Sequence, residues 1–186
     1  MNDPARPHIR KMTADDCPAV AEVRVRGWQH AYAGVVPQAY LDAMSVVEET
    51  AVRREQFAGG AGRAVDLVAE REGRVVGWGC YGPGRDEDAP PGAAELYTLY
   101  VLPEHLSTGV GRALMAALAD HAEARGCRSL RLWVLTGNQR ARRFYAKSGL
   151  APDGAEGSFE VAGATVRELR YAMRLSASSA AAASLG

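Results

Sequence analysis

The sequence carries no surplus of either charge, no long apolar run and too few cysteines for a covalent framework, and each lack removes a class of protein. Lys plus Arg and Asp plus Glu number 22 each among 186 residues, so no broad positive field gathers nucleic-acid phosphates or holds the chain on an anionic membrane. No stretch approaches the roughly 18 uninterrupted apolar residues of a membrane span. The opening MNDPARPHIRK lacks the apolar core of a signal peptide, and a cytoplasmic location is expected. Cys17, Cys80 and Cys127 are odd in number and far apart, which argues against a disulfide framework and against zinc; reduced packing thiols are expected. His8, His30, His105 and His121 also lack metal spacing. No metal is expected, and His30 and His105 are secondary candidates for handling protons.

What remains is enough chain for one well-buried domain. Residues 1–7 are polar and Pro-rich and residues 176–186 are almost all Ser and Ala, so both ends are expected to be disordered around a single domain at 8–175. Within it, Ile9 opens a short strand. Thr13 and Asp16 start a helix through Val20, Val23 and Trp28, and a short helical stretch over Gln38 to Met44 follows. Ser45 with Glu48 caps a helix that reaches Phe57, ended by Gly59, Gly60 and Gly62. Alternation from Val65 to Tyr81 around Glu72-Gly73 predicts a hairpin. The loop PGRDEDAPPG leads to a strand at Glu95 to Leu102, then a helix from Gly109 to Arg125 with its apolar stripe at Val110, Leu114 and Leu118. A strand at Leu130 to Leu135, a helix at Asn138 to Lys147 and strands near Ser158 to Val161 and Thr165 to Leu175 complete an α/β chain.

The informative segment is ELYTLYVLPEHLSTGVGRALMAALA, from Glu95 to Ala119. Gly109 and Gly111 sit where a loop becomes a helix, so main-chain N–H groups are free to receive an anion such as a pyrophosphate. No third glycine follows Gly111 and no Gly-Lys-Ser/Thr occurs there, so neither the dinucleotide fingerprint nor the ATP loop fits. The next strand and helix read LRLWVLTGNQRARRFYAKSGL, which sets Asn138, Ala141 or Arg142, and Tyr145 on one helical face.

Together these two segments resemble the GCN5-related N-acetyltransferases (GNAT): the first is similar to that family's coenzyme A motif Q/R-x-x-G-x-G/A, the second to its N-x-x-A-x-x-F-Y-x-x-x-G helix. The likeness spans about Ile9 to Leu175. It implies a mixed, mostly antiparallel sheet of six to seven strands with about four helices, and a splayed notch for the cofactor between the two central strands. It further implies acetyl-CoA as acyl donor, direct transfer to a primary amine of a small molecule or protein, and often a homodimer. Leu106 and Ser107 stand where the family has Gln or Arg and then Gly. Because the seat is built chiefly of main-chain N–H groups, this departure weakens it without removing it, and the Ser107 hydroxyl replaces part of what is lost.

The resemblance implies donor contacts at Leu99 and Val101 beside a bulge near Tyr97, at Leu106, Ser107, Thr108, Gly109, Val110, Gly111 and Arg112, and at Asn138 and Tyr145. Tyr145 matches the tyrosine that protonates the departing thiolate. An alkylamine with a pKa near ~10.4 must first lose a proton. Glu95 is the candidate base, weighed against a strand-end carboxylate that faces solvent or pairs with an Arg. Trp28 and Tyr32 are read either as an aromatic staple or as the acceptor wall, with Glu95 beside them, and Asp86-Glu87-Asp88 either as solvated loop or as a rim for a cationic amine. A non-catalytic acyl-CoA sensing module is the competing reading.

Overall fold

The computed structural model describes residues 6–59 and 64–176. Residues 1–5 and 177–186 of the expected disordered ends, and Gly60 and Gly62, lie outside the described residues. Strands β1 (His8–Lys11), β2 (Val65–Arg71), β3 (Arg74–Pro83), β4 (Ala93–Val101), β5 (Ser129–Leu135), β6 (Ala151–Val161) and β7 (Ala164–Arg174) form one sheet in the order β1-β2-β3-β4-β5-β7-β6. Every neighbouring pair is antiparallel except β4 with β5. The helices are α1 (Cys17–Ala31), α2 (Gln38–Ala43), α3 (Val46–Ala58), α4 (Val110–Ala124) and α5 (Gln139–Lys147). Among the described residues no helix is long and apolar enough to cross a membrane.

Local chemistry explains the boundaries. The β2–β3 hairpin turns at Glu72 and Gly73, with φ of 50° and 74°, the paired positive values that match the twist of antiparallel strands. Before α1, the Asp16 carboxylate accepts from the Thr13 N–H at 2.8 Å and from the Thr13 hydroxyl at 2.9 Å. Ser45 Oγ accepts from the Glu48 N–H at 3.3 Å at the start of α3.

Side-chain alternation divides the sheet. On one face α4 presses so closely that a Cβ on Gly79 would stand 2.6 Å from Leu118 Cδ1, and one on Gly77 2.9 Å from Leu114 Cδ1. Leu114, Leu118 and Val110 are thereby wholly buried, each large side chain contributing roughly 1.5–3 kcal/mol. On the other face α1 packs over β3 and β4, with α3 against α1.

The short stretch expected over Gln38 to Met44 closes into the helix Gln38–Ala43 with Leu41 fully buried, which makes five helices among the described residues, in keeping with the about four that the resemblance implies. One expectation is corrected. Strand β6 begins at Ala151, not Ser158, since Pro152 and Gly154, loop-like in sequence, are absorbed by a register shift between Pro152 and Glu156.

Candidate active site

The parallel pair at the centre of the sheet is short. β4 and β5 pair at Ala93 with Ser129, Ala94 with Leu130 and Glu95 with Arg131, and then part. The parting coincides with a bulge: Cys80 pairs with Thr98 but Tyr81 with Leu96, which leaves Tyr97 as the extra residue. Leu102 N donates to Val76 O at 2.9 Å, so by antiparallel alternation Leu102, Tyr100 and Thr98 spend their main-chain groups on β3. Leu99 and Val101 therefore turn theirs toward the gap. A cavity of about 730 Å³ fills this gap, walled by β4, β5, the loop before α4, α5 and the end of α1.

The loop into α4 is shaped to expose N–H groups. Ser107 and Gly109 have φ of 63° and 91°. The first main-chain bond into the helix runs from Ala113 N to Gly109 O at 3.0 Å, which leaves the preceding N–H groups facing the cavity end. A Cβ on Gly109 would meet nothing within 4 Å, whereas one on Gly111 would stand 3.5 Å from the Phe144 ring. The Thr108 hydroxyl donates to His105 O at 2.7 Å. Val110 is wholly buried and offers only main chain. Arg140 Nη2 donates to Ser107 Oγ at 3.2 Å, bringing a guanidinium from α5 to the segment where the expected loop side chain is missing. Arg112, Arg140, Arg143 and Lys147 line the wall, and among the described lining residues there is no Asp or Glu. A polyanionic, thioester-bearing donor such as acetyl-CoA fits this charge and this row of main-chain donors.

Asn138, Ala141 and Tyr145 share the cavity-facing side of α5 as the spacing predicts. Asn138 Oδ1 accepts from Ala141 N at 3.0 Å and so caps the helix. Arg142 turns away, to Thr136 O and Tyr171 Oη. Tyr145 is 9% exposed. Burial, aided by neighbouring Tyr100, raises its phenol above the ordinary value, which keeps the proton on oxygen at neutral pH. At the α1 end Tyr32 lines the cavity and Trp28 does not. Their rings meet edge to face at 4.7 Å, so Trp28 acts as the staple and Tyr32 as the wall. His30 and His105 both line the cavity.

Glu95 does not reach the cavity. It is 3% exposed and accepts from Arg85 N at 2.9 Å, Nε at 3.1 Å and Nη2 at 2.5 Å; the Arg-paired alternative describes its surroundings. The acidic loop is likewise occupied. Buried Arg170 binds Asp88 at 2.6 and 2.7 Å, Asp86 at 3.0 Å and Asp153 at 2.7 Å. Asp86 also accepts from Trp133 Nε1 at 3.1 Å. Cys17 and Cys80 are buried and Cys127 partly so, all free, and burial raises the Cys17 and Cys80 thiols. The sequence reading missed Tyr100, Arg140 and Lys147 on the wall. Arg140 and Lys147 share a helical face with Arg143 and Phe144 rather than with Asn138, and that second stripe was the available signal for the last two, with strand alternation from Thr98 for the first.

Comparison with known proteins agrees with this geometry. Residues 28–150 match the model of the acetyltransferase (GNAT) family. The uncharacterized N-acetyltransferase YuaI of Bacillus subtilis is 29% identical over 162 residues, covering 87% of this chain and 89% of its own. The probable N-acetyltransferase Rv2775 of Mycobacterium tuberculosis is 27% identical over 180 residues, 94% and 97% of the two chains. Among solved structures, the PaiA N-acetyltransferase of Thermoplasma acidophilum in complex with coenzyme A aligns with a TM-score of 0.72 at 19% identity, over 90% of this chain and 98% of that one. At that identity the likeness speaks for the fold.

Proposed function

The chain belongs to the acetyltransferase (GNAT) family, and from that premise we propose that its notch binds acetyl-CoA and passes the acetyl group directly to a primary amine of a small molecule or a protein. The observation that carries this reading is the parting of β4 from β5 beside a wall with four cationic side chains, Arg112, Arg140, Arg143 and Lys147, and, among the described lining residues, no carboxylate. Each requirement of acyl transfer has a group suited to it. The N–H groups of Ser107 to Arg112 at the start of α4, with Arg140 and Arg112, receive the phosphates. The main-chain N–H of Leu99 or Val101, fixed by the sheet and turned to the gap, stabilises the thioester oxygen as it becomes an oxyanion. Tyr145 holds a proton for the departing sulfur. Neither buried cysteine sits as a low-pKa nucleophile, which favours direct transfer over an acyl-cysteine route.

The test is thiol release from acetyl-CoA across a panel of alkylamines and amine-terminated peptides. Turnover with at least one amine is expected. Tyr145→Phe is expected to lower kcat by roughly 10²-fold or more with little change in acetyl-CoA affinity. Tight acetyl-CoA binding without turnover of any amine would instead favour the sensing module.

A further inference from the structure

An alkylammonium must shed a proton before its nitrogen can attack, and the expected carboxylate is engaged elsewhere: Glu95 is held by Arg85 outside the cavity. The cavity instead concentrates phenols. Tyr100 lies on β4 between Leu99 and Val101, the two residues whose main-chain groups face the gap, and Tyr100 and Tyr32 both line the wall. Their oxygens are 3.2 Å apart.

The fold makes room for this pair. A Cβ on Gly27 of α1 would stand 3.0 Å from Tyr100 Cβ and Cδ1, so glycine there lets the Tyr100 side chain pack against that helix without being displaced. Trp28 braces Tyr32 edge to face, and Tyr32, the partly exposed C-cap of α1, follows His30, an exposed residue that also lines the cavity and so marks its opening to solvent.

Resting on the acetyl-transfer reading, we propose that Tyr100 and Tyr32 form a proton relay that carries the first proton of the acceptor ammonium from the reacting nitrogen to solvent, Tyr100 being the phenol that meets the amine. The nitrogen gives its proton to Tyr100 Oη as Tyr100 passes its own to Tyr32 Oη, and Tyr32 passes one to water at the mouth. The freed lone pair forms the C–N bond at the thioester carbonyl carbon. As the C–S bond breaks, sulfur takes the Tyr145 proton, and the second proton lost from nitrogen restores that phenol. One proton reaches solvent and one reaches sulfur, which balances an ammonium turned into an amide.

The groups facing the pair are Arg24 and Trp28 from α1, Thr98 from β4 and Tyr145 from α5. Arg24 is paired with Glu49 at 2.9 Å. Burial raises both phenols, so each stays protonated at neutral pH and works by passing protons on, not by holding a negative charge.

The experiment compares Tyr100→Phe and Tyr32→Phe with the unaltered protein, using the most reactive alkylamine of the thiol-release panel and its β,β,β-trifluorinated analogue, which is neutral at the assay pH. With the alkylamine, kcat/KM is expected to fall by roughly 10²-fold at neutral pH, the loss shrinking as pH rises toward the amine's own pKa. With the fluorinated amine the loss is expected to stay within about threefold, because no ammonium proton then needs removal. Acetyl-CoA affinity, read by calorimetry, stays unchanged. A loss indifferent to pH and amine basicity, or no loss, overturns the relay while leaving acetyl transfer intact. No turnover by the unaltered protein overturns the transfer reading and the relay with it. Tyr32→Phe, at a partly exposed site, decides the matter should Tyr100→Phe fail to fold.

Discussion

Replacing Glu95 by Gln separates a structural carboxylate from a catalytic one. The side chain is buried, and its oxygens receive three donors of Arg85, at 2.9, 3.1 and 2.5 Å. A glutamine of the same shape keeps one acceptor oxygen but turns an amide N–H₂ toward guanidinium donors, so at least one charge-assisted bond is lost. Such a bond is worth about 1.5–3 kcal/mol. The Arg85 side chain is 63% exposed, so solvent screens it and the lower end applies, about 1.5 kcal/mol. For a chain of this size that lowers the melting temperature by roughly 3–6 °C. Calorimetric melting gives the stability change, and thiol-release kinetics at 20 °C give kcat over pH 6 to 9. The expected result is a lower melting temperature with kcat within about twofold of the unaltered value. A general base would show the reverse, a fall of roughly 10²–10⁴-fold and an altered pH profile. That outcome with unchanged melting would refute the structural assignment of Glu95.

Two further outcomes follow from the geometry. Arg140→Gln removes the guanidinium that α5 brings over Ser107; because Arg140 is exposed, the expected cost is about 1 kcal/mol, roughly fivefold weaker coenzyme A binding by calorimetry, shrinking with added salt. Unchanged affinity would remove Arg140 from the donor site. Hydrogen bonding from Arg10, backed by the Thr13 N–H and hydroxyl, lowers Asp16 to about 2. A folded pKa below the unfolded one means that the unfolded chain binds more protons between the two, so this contribution is complete above about pH 4 and is lost as pH falls through about 2. Asp16→Asn is therefore expected to cost about 2 kcal/mol at pH 7 in denaturant melts, with the difference closing toward pH 2; a cost independent of pH would contradict the linkage.

Local signals carried the sequence reading where one residue type dictates one backbone state. Glu72-Gly73 marked the hairpin, and Gly109 with Gly111 marked the loop that opens α4. The Asn138 cap set the face of α5 on which Ala141 and Tyr145 meet the cavity. What escaped the reading depends on partners distant in sequence. Nothing near Glu95 announces that Arg85 will fold back onto it. The acidic run at Asp86 to Asp88 reads as solvated or substrate-facing until β7 supplies Arg170, 82 positions beyond Asp88. Strand β6 was cut short because its polar, largely exposed residues hide the alternation that only pairing with β7 reveals. Tyr100 is not singled out by its own strand, because its partner phenol comes from the end of α1, 68 residues earlier.

Thermal unfolding across an acetyl-CoA titration reads out the proposed donor site in the gap between β4 and β5. A ligand bound only by the folded chain adds RT ln(1 + [L]/Kd), about 2.7 kcal/mol at a hundredfold excess over Kd, or roughly 5–11 °C. A saturable rise of that size is expected with acetyl-CoA and with coenzyme A, smaller in Arg140→Gln at the same concentration; no rise at millimolar acetyl-CoA would rule the donor site out.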